Sequence, residues 1–95
     1  MSEKKKYKVS LRMNNKTYAK SADTIDEGLK ALELTWNQIK NKAVVRITKG
    51  RRSYDHLFYV PTLKRIFANK IVRGMWAKRL ELLLKASNHN KKLYL

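Results

Sequence analysis

The sequence predicts an α+β domain in which an antiparallel sheet of about four strands carries helices on one face, in the order ββαββα(α). Two stretches of alternating apolar and polar residues, at 6–19 and 43–60, indicate two β-hairpins, and apolar residues at helical spacing follow each of them. The 95 residues fit one domain. We expect a flexible basic N-terminus at 1–5, the α+β domain at 6–86 and a polar C-terminal tail at 87–95.

The first hairpin begins with a run in which every second side chain is apolar. The apolar residues are Tyr7, Val9, Leu11 and Met13, and they alternate with Lys6, Lys8, Ser10 and Arg12. A period of two predicts a strand with one buried side and one side that faces solvent. Asn14 and Asn15 suit a tight turn because Asn tolerates positive φ, and 17–19 is the short return strand.

Residues 21–34 are predicted to form the first helix. Thr24 and Glu27 have the spacing of a capping box, in which each side chain accepts a hydrogen bond from an otherwise unpaired backbone amide. The apolar residues recur on one helical face, at Ile25, Leu29 and Leu32. Trp36 and Ile39 are expected to cover the edge of the core before a polar connection ends at residue 42.

The second hairpin consists of a β-branched strand at 43–48, a basic turn at 49–52 that contains glycine, and a partner strand at 54–60. The pattern of the partner strand leaves two orientations open. Either Phe58 and Val60 point into the core, or Leu57 and Tyr59 do.

Pro61 ends that strand and suits the first turn of a helix. The apolar stripe of 62–69 and the stripe of 70–86 lie on roughly opposite sides of one continuous helical wheel. A break near Asn69 and Lys70 would let both stripes face the same core. The alternative is a single long helix between the sheet and a second subunit.

The composition points to an anionic partner. The chain has 23 Lys and Arg against 7 Asp and Glu, a net charge of +16 and a pI near 10.4. Nucleic acid, RNA or DNA, is the commonest polyanion that such a surface meets, and an anionic membrane surface or an acidic protein are the competitors. The absence of cysteine excludes a disulfide scaffold and a thiol enzyme. With no membrane span or signal peptide in the sequence, we expect a cytoplasmic protein.

The basic hairpin turn is the first candidate for phosphate contacts. Its cations are Arg46, Lys49, Arg51 and Arg52, with Tyr54 beside them. Arg forms bidentate contacts with phosphate oxygens, and a two-stranded ribbon can enter a groove of a duplex. The simpler interpretation is a turn whose charges keep the protein soluble.

The outer face of the first strand is the second candidate. Lys8 and Arg12 either bind phosphates or protect an edge strand against aggregation, as lysine often does. If this strand lies beside the 43–48 strand, Arg46 extends the row into a basic sheet surface.

The helices supply the third set of cations. Lys64 and Arg65 are predicted near a helix N-terminus, where the dipole disfavours them, and such local conflicts are typical of functional positions. Lys70 and Arg73 are predicted on a polar arc of the last helix. Arg79 falls inside the apolar arc, where it extends its charged end to solvent, pairs with Asp55 or marks a dimer or partner contact.

Aromatic residues divide into two groups by their position. Trp36 and Trp76 are predicted to belong to the core. Tyr54 and Tyr59 are the better candidates for stacking on bases, because strand aromatics beside cations suit single-stranded nucleic acid.

The sequence contains no signature of an enzyme, a metal site or a cofactor site. Asp55 and His56 are the only adjacent acid–base pair, and neighbours on a strand point to opposite faces. His89 lies in the polar tail.

These observations predict a non-enzymatic, weakly sequence-specific nucleic-acid-binding domain. Its phosphate contacts would come mainly from Arg46, Lys49, Arg51, Arg52, Lys64 and Arg65, and six such contacts imply a log–log salt slope of roughly −5 on duplex DNA. One alternative is a small viral or mobile-element accessory or inhibitor protein that binds an acidic protein surface or a nucleic-acid channel. Another is a structural component of a ribonucleoprotein or virion.

Overall fold

The computed structural model describes residues 6–93, except for the side chains of Leu34, Trp36, Asn37 and 87–93. The expectations for residues 1–5, for the side chains of Trp36 and His89, and for the last two residues therefore lie outside the described part. The elements in chain order are β1 (Tyr7–Met13), β2 (Lys16–Ala22), α1 (Ile25–Ala31), a 3-10 helix (Glu33–Gln38), β3 (Lys42–Lys49), β4 (Arg52–Tyr59), α2 (Val60–Ala68) and α3 (Lys70–Leu93).

The four strands form one antiparallel sheet in the order β2-β1-β3-β4, which confirms the predicted α+β class. Each hairpin pairs its own two strands, and the connection through α1 brings β3 alongside β1. The two central strands are therefore the first strand of each hairpin, and β2 and β4 form the edges.

The helices pack against one face of this sheet, and we call it the covered face. Alternate residues of β1 and β3 on this side, such as Val9, Leu11 and Val45, have no exposed surface. Phe58 of β4 is also buried, whereas Leu57 and Tyr59 are exposed, so the orientation that the sequence left open is settled for Phe58. Val60 does not belong to the strand, because α2 begins there.

The first helix is shorter than the predicted 21–34. The return strand β2 continues to Ala22, which pairs with Tyr7, so it is longer than the predicted 17–19. The hydroxyl of Thr24 accepts a hydrogen bond from the amide of Glu27 at 3.1 Å, which places the start of α1 at Ile25. The chain after α1 tightens into the 3-10 helix, which spans the end of the predicted helix and the start of the polar connection expected at 37–42.

The predicted break between the last two helices is confirmed. Asn69 adopts an extended conformation, with φ −126° and ψ 115°. Its side-chain oxygen accepts hydrogen bonds from the amides of Ile71 and Val72 at 2.9 and 3.1 Å, and thereby caps α3. The alternative of one continuous helix is wrong. The backbone of α3 extends to Leu93, beyond the predicted end at 86 and through most of the predicted tail.

Glycine allows α1 to approach the sheet closely. A methyl group at Gly28 would overlap Cγ2 of Val9, a fully buried residue of β1, and would lie 2.9 Å from its Cβ. Gly74 in α3 has no heavy atom within 4 Å of the equivalent position.

We predict that Gly28→Ala lowers the free energy of unfolding by about 1–3 kcal/mol, because the stiff Val9 side chain cannot turn away from the added methyl group. The matched substitution Gly74→Ala should raise it by about 0.5–1 kcal/mol through helix propensity. Urea unfolding of both variants measures these changes, and equal effects would contradict the close packing of α1 on β1.

Candidate nucleic-acid interface

The face of the sheet opposite the helices carries a regular series of cations, and we call it the open face. Three rows of this face consist of residues that are paired across β1 and β3. A fourth row lies beyond the end of β1 and pairs β3 with β4. Each of the four rows holds one cation on a central strand. In order along the strands these are Lys8, Arg46, Arg12 and Lys42, and all four are exposed.

The cations form one continuous basic surface. Rows on one face of an antiparallel sheet are separated by two residues, or about 6.8 Å, so the series extends over roughly 20 Å. Between Arg12 and Arg46 lies a shallow depression of about 190 Å³. Beyond Lys42 the surface continues into a cleft of about 500 Å³ at the end of the sheet, which Lys16 and Lys40 also line.

The central position of β1 removes the simplest explanation for its cations. Lys8 and Arg12 cannot protect an edge strand, because β1 pairs with β2 on one side and with β3 on the other. The conditional expectation that Arg46 extends the basic row is confirmed by the pairing of Arg46 with Ser10.

Arg46 is held in position by the only acid that the described strands place on the open face. Its Nε donates to Asp55 Oδ1 at 2.6 Å and its terminal nitrogen to Oδ2 at 3.0 Å. The hydrogen bond from Arg46 holds the pKa of the Asp55 carboxyl below its usual value, and the charges of Arg46 and Arg12 add to this effect against partial burial. This fork fixes the guanidinium plane parallel to the carboxylate, and Asp55 offsets one of the positive charges of the surface.

The tip of the second hairpin lies at the Lys8 end of the sheet. Gly50 occupies the turn with φ 61°, which glycine adopts without strain, and Arg51 and Arg52 are exposed. Lys49 turns toward the covered side, where its ammonium lies 5.3 Å from the ring centre of Tyr7. Arg52 pairs with Lys49 and precedes Tyr54 by two residues, so the period of the strand places it on the covered side as well. The structure therefore does not keep the predicted basic turn together on one face, and Arg46 belongs to the open face at the centre of the sheet.

The two tyrosines that were candidates for stacking on bases lie on opposite faces of the sheet. Tyr54 lies on the covered side, half-buried, with its hydroxyl 3.0 Å from Nδ1 of His56, so its ring is not available beside the open-face cations. Tyr59 is 57% exposed and pairs with Lys42 on the open face. Leu57, also exposed, lies one row away.

The helical cations lie in the other layer of the molecule. Lys64 and Arg65 are exposed on α2, whose Leu63 and Ile66 are buried in the core under the covered face. The expected position at a helix N-terminus is wrong, because α2 already begins at Val60 and Arg65 falls in its last turn, where the dipole favours a cation. Lys70 is exposed at the start of α3 in the same layer.

Arg73 is buried, contrary to the predicted polar arc, with only 6% of its surface exposed. Its Nε lies 3.3 Å from Asp26 Oδ1 of α1, and its terminal nitrogen lies 3.5 and 3.4 Å from the carbonyl oxygens of Ile66 and Phe67 at the end of α2. One side chain thus connects all three helices, and it has no free surface for a phosphate.

Arg79 follows the expectation that its charge reaches solvent. The residue is exposed and its guanidinium carbon lies 5.0 Å from the ring centre of Trp76. Trp76 packs edge-on against Phe58 and His56 on the covered side, with centroid distances of 4.8 and 5.3 Å. The alternative pairing with Asp55 is wrong, since Asp55 is bound to Arg46 on the opposite face.

The structure separates the adjacent acid–base pair of β4. Asp55 and His56 point to opposite faces of β4, as expected from their adjacency. No group of three or more metal-binding side chains occurs among the residues that the structure describes. Within 6–93, no helix is long and apolar enough to cross a membrane.

Lys42 also belongs to this surface, although its position in the sequence predicts a polar connection before β3. The alternation of Lys42, Val44 and Arg46 at every second position continues the period of the strand by one step, and this signal was sufficient to place Lys42 on the open face.

Comparisons of the chain with protein-family models, with curated proteins and with solved structures find no match. The function is therefore inferred from the surface itself.

We predict that Arg73→Met lowers the free energy of unfolding by roughly 1–3 kcal/mol, because it leaves the Asp26 carboxylate without its buried partner. Lys70→Met removes the same charge from an exposed site of the same helix and should change stability by less than about 0.5 kcal/mol. Urea unfolding and oligonucleotide binding are measured for both. A stable Arg73→Met protein that binds nucleic acid more weakly than Lys70→Met would show that Arg73 contacts the ligand.

His56 should make the protein less stable in mild acid. Burial, and secondly the charge of Arg79, lower the pKa of His56 in the folded protein. The unfolded chain therefore takes up this proton first, so the contribution is fully present above about pH 6.5 and is lost as the pH falls toward the lower folded pKa. Thermal unfolding between pH 7.5 and 5 should show a smaller decline for His56→Gln than for the unmodified protein and for His89→Gln. Parallel declines in all three proteins would contradict a lowered pKa of the partly buried His56.

Proposed function

We propose that this chain is a non-enzymatic nucleic-acid-binding domain and that the open face of its sheet is the contact surface. The observation that carries the proposal is the series of one cation per row along the two central strands. Neither edge protection nor packing accounts for these cations. A polyanion that lies along the strands meets a cation about every 6.8 Å, and neutralising its phosphates releases condensed counterions.

The shape of the surface favours a single strand over a duplex. Four strands separated by about 4.8 Å make a platform more than 14 Å wide before side chains are counted, and the major groove is only about 12 Å wide. The sheet therefore cannot enter the groove, whereas a single nucleic-acid strand can lie on the open face, along β1 and β3. Tyr59 and Leu57 offer exposed apolar surface to an unstacked base.

Phosphate contacts dominate this interface, so its sequence specificity is expected to be weak. The contacts come from the four open-face cations, and Arg51 in the hairpin turn adds a fifth exposed cation at the Lys8 end. For single strands, five contacts imply a log–log salt slope of about −3.5.

Two charge-matched double variants locate the interface. Lys8→Ala/Arg12→Ala removes one lysine and one arginine from the open face, and Lys64→Ala/Arg65→Ala removes the same pair from the helix layer. We expect the first to weaken binding of a single-stranded oligonucleotide about tenfold or more, and to make the salt slope shallower by roughly 1.4, because two phosphate contacts are lost. The Lys64→Ala/Arg65→Ala variant should leave the affinity and the salt slope nearly unchanged. Fluorescence anisotropy over a range of salt concentrations measures both quantities.

The same titrations with duplex RNA and DNA test the preference for single strands. Equal weakening by the two double variants would indicate non-specific attraction to the whole cationic molecule. Stronger weakening by the α2 pair would place the interface on the helix layer and overturn the proposal.

A further inference from the structure

The outer side of α3 exposes an apolar stripe that the fold does not use. Leu80 and Leu84 of this helix are buried in the core. On the opposite side, Ile71, Met75 and Leu82 are 75, 64 and 66% exposed. At 100° per residue their side chains fall within an arc of about 40°, and at 1.5 Å per residue they extend over about 16 Å of the helix. We call these three residues the α3 stripe.

Cations flank the α3 stripe on both sides. Lys78 and Lys85 lie along one margin and Arg79 lies along the other, and all three are exposed. Glu81 is the only acid among residues 70–86. Its carboxylate accepts a hydrogen bond from the Tyr7 hydroxyl at 3.2 Å, so it is turned toward the sheet.

We infer that the α3 stripe is a docking surface for an acidic amphipathic helix of a partner protein. An apolar ridge of the partner would cover Ile71, Met75 and Leu82, and its flanking carboxylates would meet Lys78, Arg79 and Lys85. The pattern of an apolar centre with charged margins is how paired helices select their partners. The margins of the partner helix must be negatively charged, because all three flanking residues of the α3 stripe are cations.

The charges and the width of the stripe argue against two other occupants. In a symmetric dimer through this face, the cations of one copy would approach those of the other, between chains that each carry +16. A helix that lies in a membrane interface has a broad apolar face, whereas the α3 stripe is only one side chain wide.

The docking surface is independent of the proposed nucleic-acid interface. The α3 stripe faces away from the sheet, and the open face lies on the far side of the sheet from the helices. A nucleic acid and an acidic partner would therefore bind at the same time, and the chain would link one to the other.

The test uses a synthetic peptide of about 20 residues, long enough for several helical turns, with leucines at helical spacing and glutamates on both margins. Its binding to the full chain is measured by fluorescence anisotropy at a moderate salt concentration. We expect Met75→Ser/Leu82→Ser to weaken binding about tenfold or more. Leu57→Ser/Tyr59→Ser, which removes two exposed apolar side chains from the open face, should have no effect on peptide binding. Circular dichroism establishes that both variants are folded.

Three controls identify the outcomes that overturn this inference. A scrambled peptide of identical composition that binds equally tightly would reduce the interaction to charge alone. The second control is flotation with vesicles of phosphatidylglycerol and phosphatidylcholine. The stripe would be assigned to a membrane if the unmodified protein floats but does not bind the peptide selectively, and if Met75→Ser/Leu82→Ser abolishes flotation. Sedimentation that reveals a dimer disrupted by the same variant would assign it to a second copy. Oligonucleotide binding by Met75→Ser/Leu82→Ser should be unchanged. This measurement distinguishes a failure of the docking inference from a failure of the proposed nucleic-acid interface.

Discussion

The structure depends on an asymmetry of the sheet: its helices cover one face and leave the other to solvent. The alternation of β1 and β3 imposes this arrangement, because every second residue of each strand is apolar and buried on the same side. A central strand cannot exchange its two faces without exposing its entire apolar set. The polar residues of the two central strands are therefore brought together on the open face, whatever their chemistry.

The two sides of the sheet also differ in the charged side chains that they carry. Among the described residues, Asp55 is the only acid on the open face, while the other acids lie in α1, α3 and the segments beside α1. In the helix layer the charges form contacts that hold the elements together, as Arg73 does between α1 and the end of α2. On the open face they face water in regular rows. The same excess of cations thus contributes to packing on one side of the molecule and forms an exposed basic surface on the other.

Local patterns in the sequence were sufficient to predict most of the strands and helices and part of the candidate site. The period of two placed Lys8 and Arg12 outward, and the two opposed apolar stripes predicted the helix break at Asn69. The capping box of Thr24 and Glu27 was also correct, although the helix itself was predicted to begin at residue 21. Strand order was not predictable in the same way, because the pairing of β1 with β3 joins residues about 35 positions apart and leaves no local pattern. Only that pairing turns separate cations into one surface.

The role of Arg73 was misjudged for a different reason. The exposed α3 stripe adds apolar residues to the last helix, so the helical wheel predicts a wide apolar arc. The centre of that arc does not coincide with the side of the helix that is buried in the structure. Arg73 precedes Leu80 by seven residues and Leu84 by eleven, so all three share one side of the helix. The separate apolar stripe at Ile71, Met75 and Leu82 was therefore the signal that the helix has two apolar sides with different uses.

The central claim is that nucleic acid occupies the open face and leaves the helix layer free. Lysine footprinting tests it most directly, by measuring acetylation of each lysine with and without a saturating single-stranded oligonucleotide. The structure predicts protection of Lys8 and Lys42, with no change at Lys70 and Lys78, which are exposed on α3. Protection of the α3 lysines, or equal protection of all four, would contradict it.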